Sequence, residues 1–292
     1  MVSSRIRGSA AGLGVLSGVL IVLTPSADRG AALWPVWASL AVALTSTAGA
    51  VFGYGLARWT ELSALRPVRG RDVAVPVAGL AAAAVLAGLA GLVVTVTAHR
   101  AGTGWAAFRG WALVSVASLG AVPAVAVMYG IRHVSGGHPA GPRGEQADAL
   151  IALRRLLRRL LTAVGSLVAL STLALGAAFA LEQSLPAGSA HSQTEPLAPQ
   201  TVLIFGGVGS ALVAAAYGPA STALKTWAQR VCDDLFPFSH ADEAAVILDL
   251  ADSRSKLERL LGADRSVAAD LQTGLVILGP LLTSAATAFL PH

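Results

Sequence analysis

Apolar residues gather into seven long runs separated by short polar stretches, at about Ser9 to Thr24, Ala31 to Ala57, Val73 to Ala98, Trp105 to Ile131, Leu160 to Leu181, Thr201 to Leu224 and Leu271 to Leu290. Most approach or exceed the roughly 20 residues a helix needs to cross a hydrocarbon core. The pattern predicts an all-α, polytopic transmembrane helix bundle with about seven spans. Three runs admit a second reading. The first is short and follows Arg5 and Arg7, so it is either a retained span or a signal peptide, and Pro25 close before a break after Ala27 counts against cleavage. Val73 to Ala98 is so rich in alanine that its insertion depends on Leu, Val and its neighbours. The last run carries Gly274 and Pro280, and either spans or lies as a re-entrant or interfacial segment.

Composition strengthens this picture. Of 292 residues, 54% are hydrophobic and only 13% charged, with a mean hydropathy of +0.66, whereas about a quarter of a soluble domain is charged. The net charge of +5 is not read as a nucleic-acid footprint, because the basic residues sit in short connections beside apolar runs. No nucleic-acid partner is expected. Cys232 is the sole cysteine, which rules out an intramolecular disulfide. Only Lys225 and Lys256 are lysines; with the Ala and Gly richness this suggests a GC-rich bacterial genome and a bacterial inner (cell) membrane.

Lys and Arg are retained on the cytoplasmic side of a membrane, so alternate connections can be compared. All 21 fall in one alternate set except Arg29, Arg100 and Arg109. The N-terminus is therefore expected in the cytoplasm and, if the last run spans, the C-terminus outside. Trp and Tyr prefer the headgroup layer. Trp34, Trp37, Trp105 and Trp111 lie at predicted outer ends, and Trp59 and Trp227 at predicted inner ends. Tyr54, Tyr129 and Tyr217 each precede a glycine near the inner end of the second, fourth and sixth runs. These nine are read as interfacial anchors; an old repeat or a functional collar is the alternative for the three Tyr-Gly pairs.

The connections divide the chain into a four-span part (1–132), a flexible Gly/Pro/His loop (133–144) and a C-terminal part (145–292). The last contains a basic amphipathic helix, two spans, a cytoplasmic segment (225–270) and the final apolar span (271–290). Glu182 to Gln200 reads as a Ser/Pro-rich outer loop. Within 225–270 one amphipathic helix is expected. Ser239 and Asp242 form a capping-box-like start, Gly262 a stop, and Ile247, Leu250, Ala251, Leu257 and Leu261 a shared face.

The segment Leu150 to Leu161 stands out. Arg154, Arg155, Arg158 and Arg159 recur at helical spacing along one stripe, with Leu153, Leu156, Leu157, Leu160 and Leu161 opposite. The four arginines are predicted to contact anionic lipid headgroups or an acidic partner; the plainer reading is an anchor that only enforces topology. Gly14-xxx-Gly18 and Gly49-xxx-Gly53 fit close helix packing, and Thr45, Ser46, Thr47, Ser115 and Ser118 fit interhelical or backbone hydrogen bonding.

Catalytic, metal and cofactor motifs are not found. Arg109 and His99 fall near run boundaries rather than at mid-span, which weighs against proton relays. Gly207-Val-Gly209 lacks the third glycine and preceding strand of a dinucleotide site. Cys232, Asp233, Asp234, His240, Asp242 and Glu243 show no metal-ligand spacing, and there is no GxSxG elbow. No cofactor is expected. The sequence points first to a non-enzymatic interaction, sensor or accessory subunit in contact with the bilayer and a cytoplasmic protein partner. A permease for a neutral or apolar solute is second, and a membrane-embedded lipid-acting enzyme third.

Overall fold

The computed structural model describes residues 2–24, 27–65, 73–74, 77–79, 105–137, 142–183, 200–237 and 244–261. Among these residues the chain is helical throughout, without strands: α1 (Val2–Leu23), a single 3-10 turn (Ala27–Gly30), α2 (Trp34–Leu65), α3 (Trp105–Gly136), α4 (Arg143–Gln183), α5 (Gln200–Leu235) and α6 (Ala244–Leu261). Most of the third apolar run, the last run, most of the Glu182–Gln200 loop, and the expected cap Ser239 and Asp242 lie outside the described residues.

α2 is the hub of the bundle, packed against α1, α3 and α4, while α5 leans on α3 and α4. Small residues set how closely the first three helices approach. A Cβ added to Gly14 would strike the Thr45 carbonyl, one on Gly18 the Thr45 hydroxyl, and one on Gly49 the Ala10 carbonyl. Thr45 is fully buried at this crossing, and its hydroxyl donates to the Ala41 and Val42 carbonyls, both at 3.1 Å. On an adjoining face of α2, Gly55 meets Pro123 and Ala124, and Gly120 of α3 meets Ala48, at 2.7–2.8 Å from an added Cβ. The glycine pattern expected to support packing thus serves it, as small residues do wherever helix backbones must touch.

One core runs through both halves of the chain. Leu44 and Val51 of α2, Val127, Met128 and Ile131 of α3, Leu153, Leu157 and Leu160 of α4, and Tyr217, Leu224 and Trp227 of α5 are all buried in it. α3 continues through His133 to Gly136 and α4 begins at Arg143, so helix occupies both ends of the 133–144 stretch.

α2, α3 and α4 contain segments long and apolar enough to cross a membrane, at Trp34–Ser63, Arg109–Gly136 and Arg143–Ala178, and Gly8–Leu23 is a shorter apolar helix. Leu13, Leu16, Leu20, Leu23 and Leu119 are each at least 60% exposed. Large leucines bare of protein contact along helices of this length are suited to lipid.

Candidate functional site

The arginine-rich segment belongs to α4, and it is not a separate surface helix. Between Gly144 and Gly165 there is neither Gly nor Pro, and Leu, Ala and Arg favour helix, so nothing stops the chain from running on into the apolar stretch. At 41 residues α4 is about 60 Å long, twice the roughly 30 Å of a hydrocarbon core.

Packing divides the arginine stripe in two. Leu150, Leu153, Leu157, Leu160 and Leu161 are buried in the bundle, and the flanking Arg154 and Arg158 are half-buried. Arg154 donates through Nη1 to the carbonyl of Leu261, the last residue of α6. This bond ties the arginine stripe to the last described turn of α6. Arg155 and Arg159 point the other way, are exposed, and have no carboxylate partner among the described residues.

α6 completes this end of the molecule. Arg254 links Asp233 at the end of α5 (Nη2 to Oδ1, 2.6 Å) to Glu258 on its own helix (Nε to Oε1, 2.9 Å). Of the expected apolar face, Leu261 is buried, Leu257 packs on the core and Leu250 is half-buried, whereas Ile247 and Ala251 are exposed. The face is therefore docked most fully at its C-terminal end. Cys232 is fully buried beside this junction. Burial pushes its thiol above the ordinary range; Glu258 and Asp233 add to that and Arg254 opposes it.

Next to the stripe, α2 and α4 leave an open crevice of about 320 Å³ lined by Ala50, Val51 and Tyr54 of α2 and Ala163 of α4. The Arg58 guanidinium lies 5.3 Å from the Tyr54 ring centre and pairs with Glu61.

The aromatic residues divide between inward and outward positions. Trp34, Trp37, Trp227 and Tyr217 are buried, Trp59, Tyr54 and Tyr129 are half-buried, and Trp111 is exposed; the Trp105 side chain lies outside the description. Two aromatic roles were not seen in the sequence. Trp34 and Trp37 stand 5.0 Å apart, and the buried Arg109 guanidinium lies 5.3 and 5.8 Å from their ring centres. Arg109 Nε donates to Thr24 Oγ1 at 3.0 Å, and Arg29 donates to the Leu23 and Thr24 carbonyls at 2.7 and 3.2 Å. Two of the three arginines on the sparse side of the charge asymmetry thus fasten the end of α1. Tyr129 donates to the Ala215 carbonyl at 3.4 Å. Ala215 stands four residues before Pro219, whose ring nitrogen has no hydrogen to offer it; that spacing was the available signal.

Among the described residues no group of three or more His, Cys, Asp or Glu side chains comes together to hold a metal. His240, Asp242 and Glu243 lie outside them. The described residues have the build of a helical membrane protein, with three segments long and apolar enough to cross a bilayer. Comparison with protein-family models, curated proteins and solved structures finds no match.

Proposed function

We propose that the chain is a multi-pass protein of a bacterial inner membrane, with about seven spans and its N-terminus in the cytoplasm. It works by interaction rather than catalysis, reading anionic lipid and presenting α6 to a cytoplasmic protein partner. The observation that carries this reading is the division of labour along α4. Arg155 and Arg159 stand exposed on α4, while Arg154, on the same turns, holds the last described turn of α6. A lipid-reading surface and a docked helix therefore share one stiff element.

Each arginine near an anionic surface contributes on the order of 1 kcal/mol, so losing both exposed ones should weaken preference for anionic lipid by roughly thirty-fold. The test uses Arg155→Gln/Arg159→Gln protein in phosphatidylcholine vesicles with and without phosphatidylglycerol. The variant should insert normally and lose its preference, and the wild-type preference should fall with salt, since surface charge is screened within about 10 Å at 0.1 M. An unchanged preference would reduce the stripe to a topological anchor.

A further inference from the structure

We infer that α6 is a strap set by ionic strength: charge holds it shut across α4 and α5, and it opens as salt rises while the bundle beneath stays folded. This adds a regulation to the proposed presentation of α6 and rests on that reading. Three observations carry it.

The first is how α6 is fastened. Arg254 reaches Asp233 of α5 at 2.6 Å, the two side chains being 25% and 57% exposed, and Arg154 of α4 donates to the Leu261 carbonyl. Both tethers depend on a guanidinium charge, and the first lies open to solvent. Contacts of that kind weaken when salt screens them.

The second is how little else holds it. Leu261 is buried and Leu257 packs on the core, but Ile247, Leu248 and Ala251 are exposed, Leu248 by 70%. Within α6, Arg254 pairs with Glu258 at 2.9 Å and Lys256 with Asp252 at 2.7 Å, each one turn apart. Pairs at this spacing support a helix by a salt-dependent amount, and α6, at 18 residues, is short enough to be marginal on its own. Salt therefore loosens both the docking of α6 and the helix itself.

The third is the contrast with the bundle. α1 to α5 meet through buried apolar side chains and through glycines that let backbones touch, as at Gly14, Gly49 and Gly55. Screening acts on charge and leaves such packing in place. One element of the described structure should answer to salt and the rest should not.

The test is hydrogen exchange, read by mass spectrometry, on the full-length protein in phosphatidylcholine nanodiscs. It compares about 0.01 M with about 1 M KCl, where charges are felt over roughly 30 Å and roughly 3 Å. Exchange in α6 (Ala244–Leu261) should rise roughly three-fold or more, with exchange in α3 (Trp105–Gly136) unchanged. Asp233→Ala, at an exposed position outside the arginine stripe, should exchange fast in α6 already at low salt and respond much less to added salt. The strap is wrong if α6 exchange ignores salt, if it rises in step with α3, or if Asp233→Ala responds as fully as wild type. These nanodiscs hold no anionic lipid, so the two readings fail separately. An α6 that stays shut in a protein with the expected lipid preference overturns the strap alone, and an α6 that opens in a protein without that preference supports the strap and overturns the lipid reading.

Discussion

A proline inside a helix leaves the carbonyl four residues earlier without its donor, and in lipid no water replaces it. At Pro219 the replacement comes from another helix, through the Tyr129 hydroxyl on Ala215. Tyr129→Phe should therefore cost about 0.5–1.5 kcal/mol, and much less in a Pro219→Ala background where the backbone bond is restored. A double-mutant cycle on detergent unfolding measures this; equal costs in both backgrounds would separate the two residues. Gly49 makes a second residue-scale claim. Gly49→Val must push α1 away from α2, at a cost of roughly 1–3 kcal/mol of overpacking, read in the same unfolding assay. The glycine pairs were visible in the sequence because backbone proximity demands small residues at helical spacing. The partner of Tyr129 was not, because it depends on which helix lies beside α5.

At the scale of elements, the helices were legible and their partners were not. Apolar runs located α2, α3, α4 and α5, yet α2 reaches Leu65 past Arg58 and Glu61 because charged residues do not end a helix. For the same reason the arginine segment and the following apolar stretch became one helix. The stripe was legible as four equivalent arginines; its division was not, since only the position of α6 decides which arginine finds a carbonyl. That docking is testable through Cys232. With α6 in place the buried thiol should resist maleimide, and Arg154→Gln combined with Arg254→Gln should release α6 and raise the labelling rate several-fold. Unchanged labelling would mean that these arginines do not hold the helix. The raised thiol pKa has a consequence of definite sign. A folded-state pKa above the unfolded value of about 8.5 gives stability that is present below that pH and is lost as pH rises past it. Wild type should lose stability relative to Cys232→Ser above about pH 9, and parallel pH curves for the two would contradict this.

At the scale of the whole molecule, the described helices exceed the membrane. α2 and α3, at 32 residues, are about 48 Å long, and α4 and α5 are longer, against a hydrocarbon core of about 30 Å. The surplus of α4 and α5 meets α6 at one end, the end that also carries Arg155 and Arg159. Arg29 and Arg109 lie at the other end and are engaged in holding α1, Trp34 and Trp37. The charge asymmetry in the sequence thus corresponds to two chemically different ends, and the proposed function requires that the α6 end face the cytoplasm. Cysteine labelling in a Cys232→Ser background tests that requirement most directly, with an impermeant maleimide added to intact cells expressing either Gly30→Cys, on the exposed turn after α1, or Leu260→Cys, 73% exposed on α6. Labelling at position 30 from outside, with position 260 reacting only after the membrane is opened, is the expected result; labelling of position 260 in intact cells would place the arginines and α6 outside and contradict the proposal.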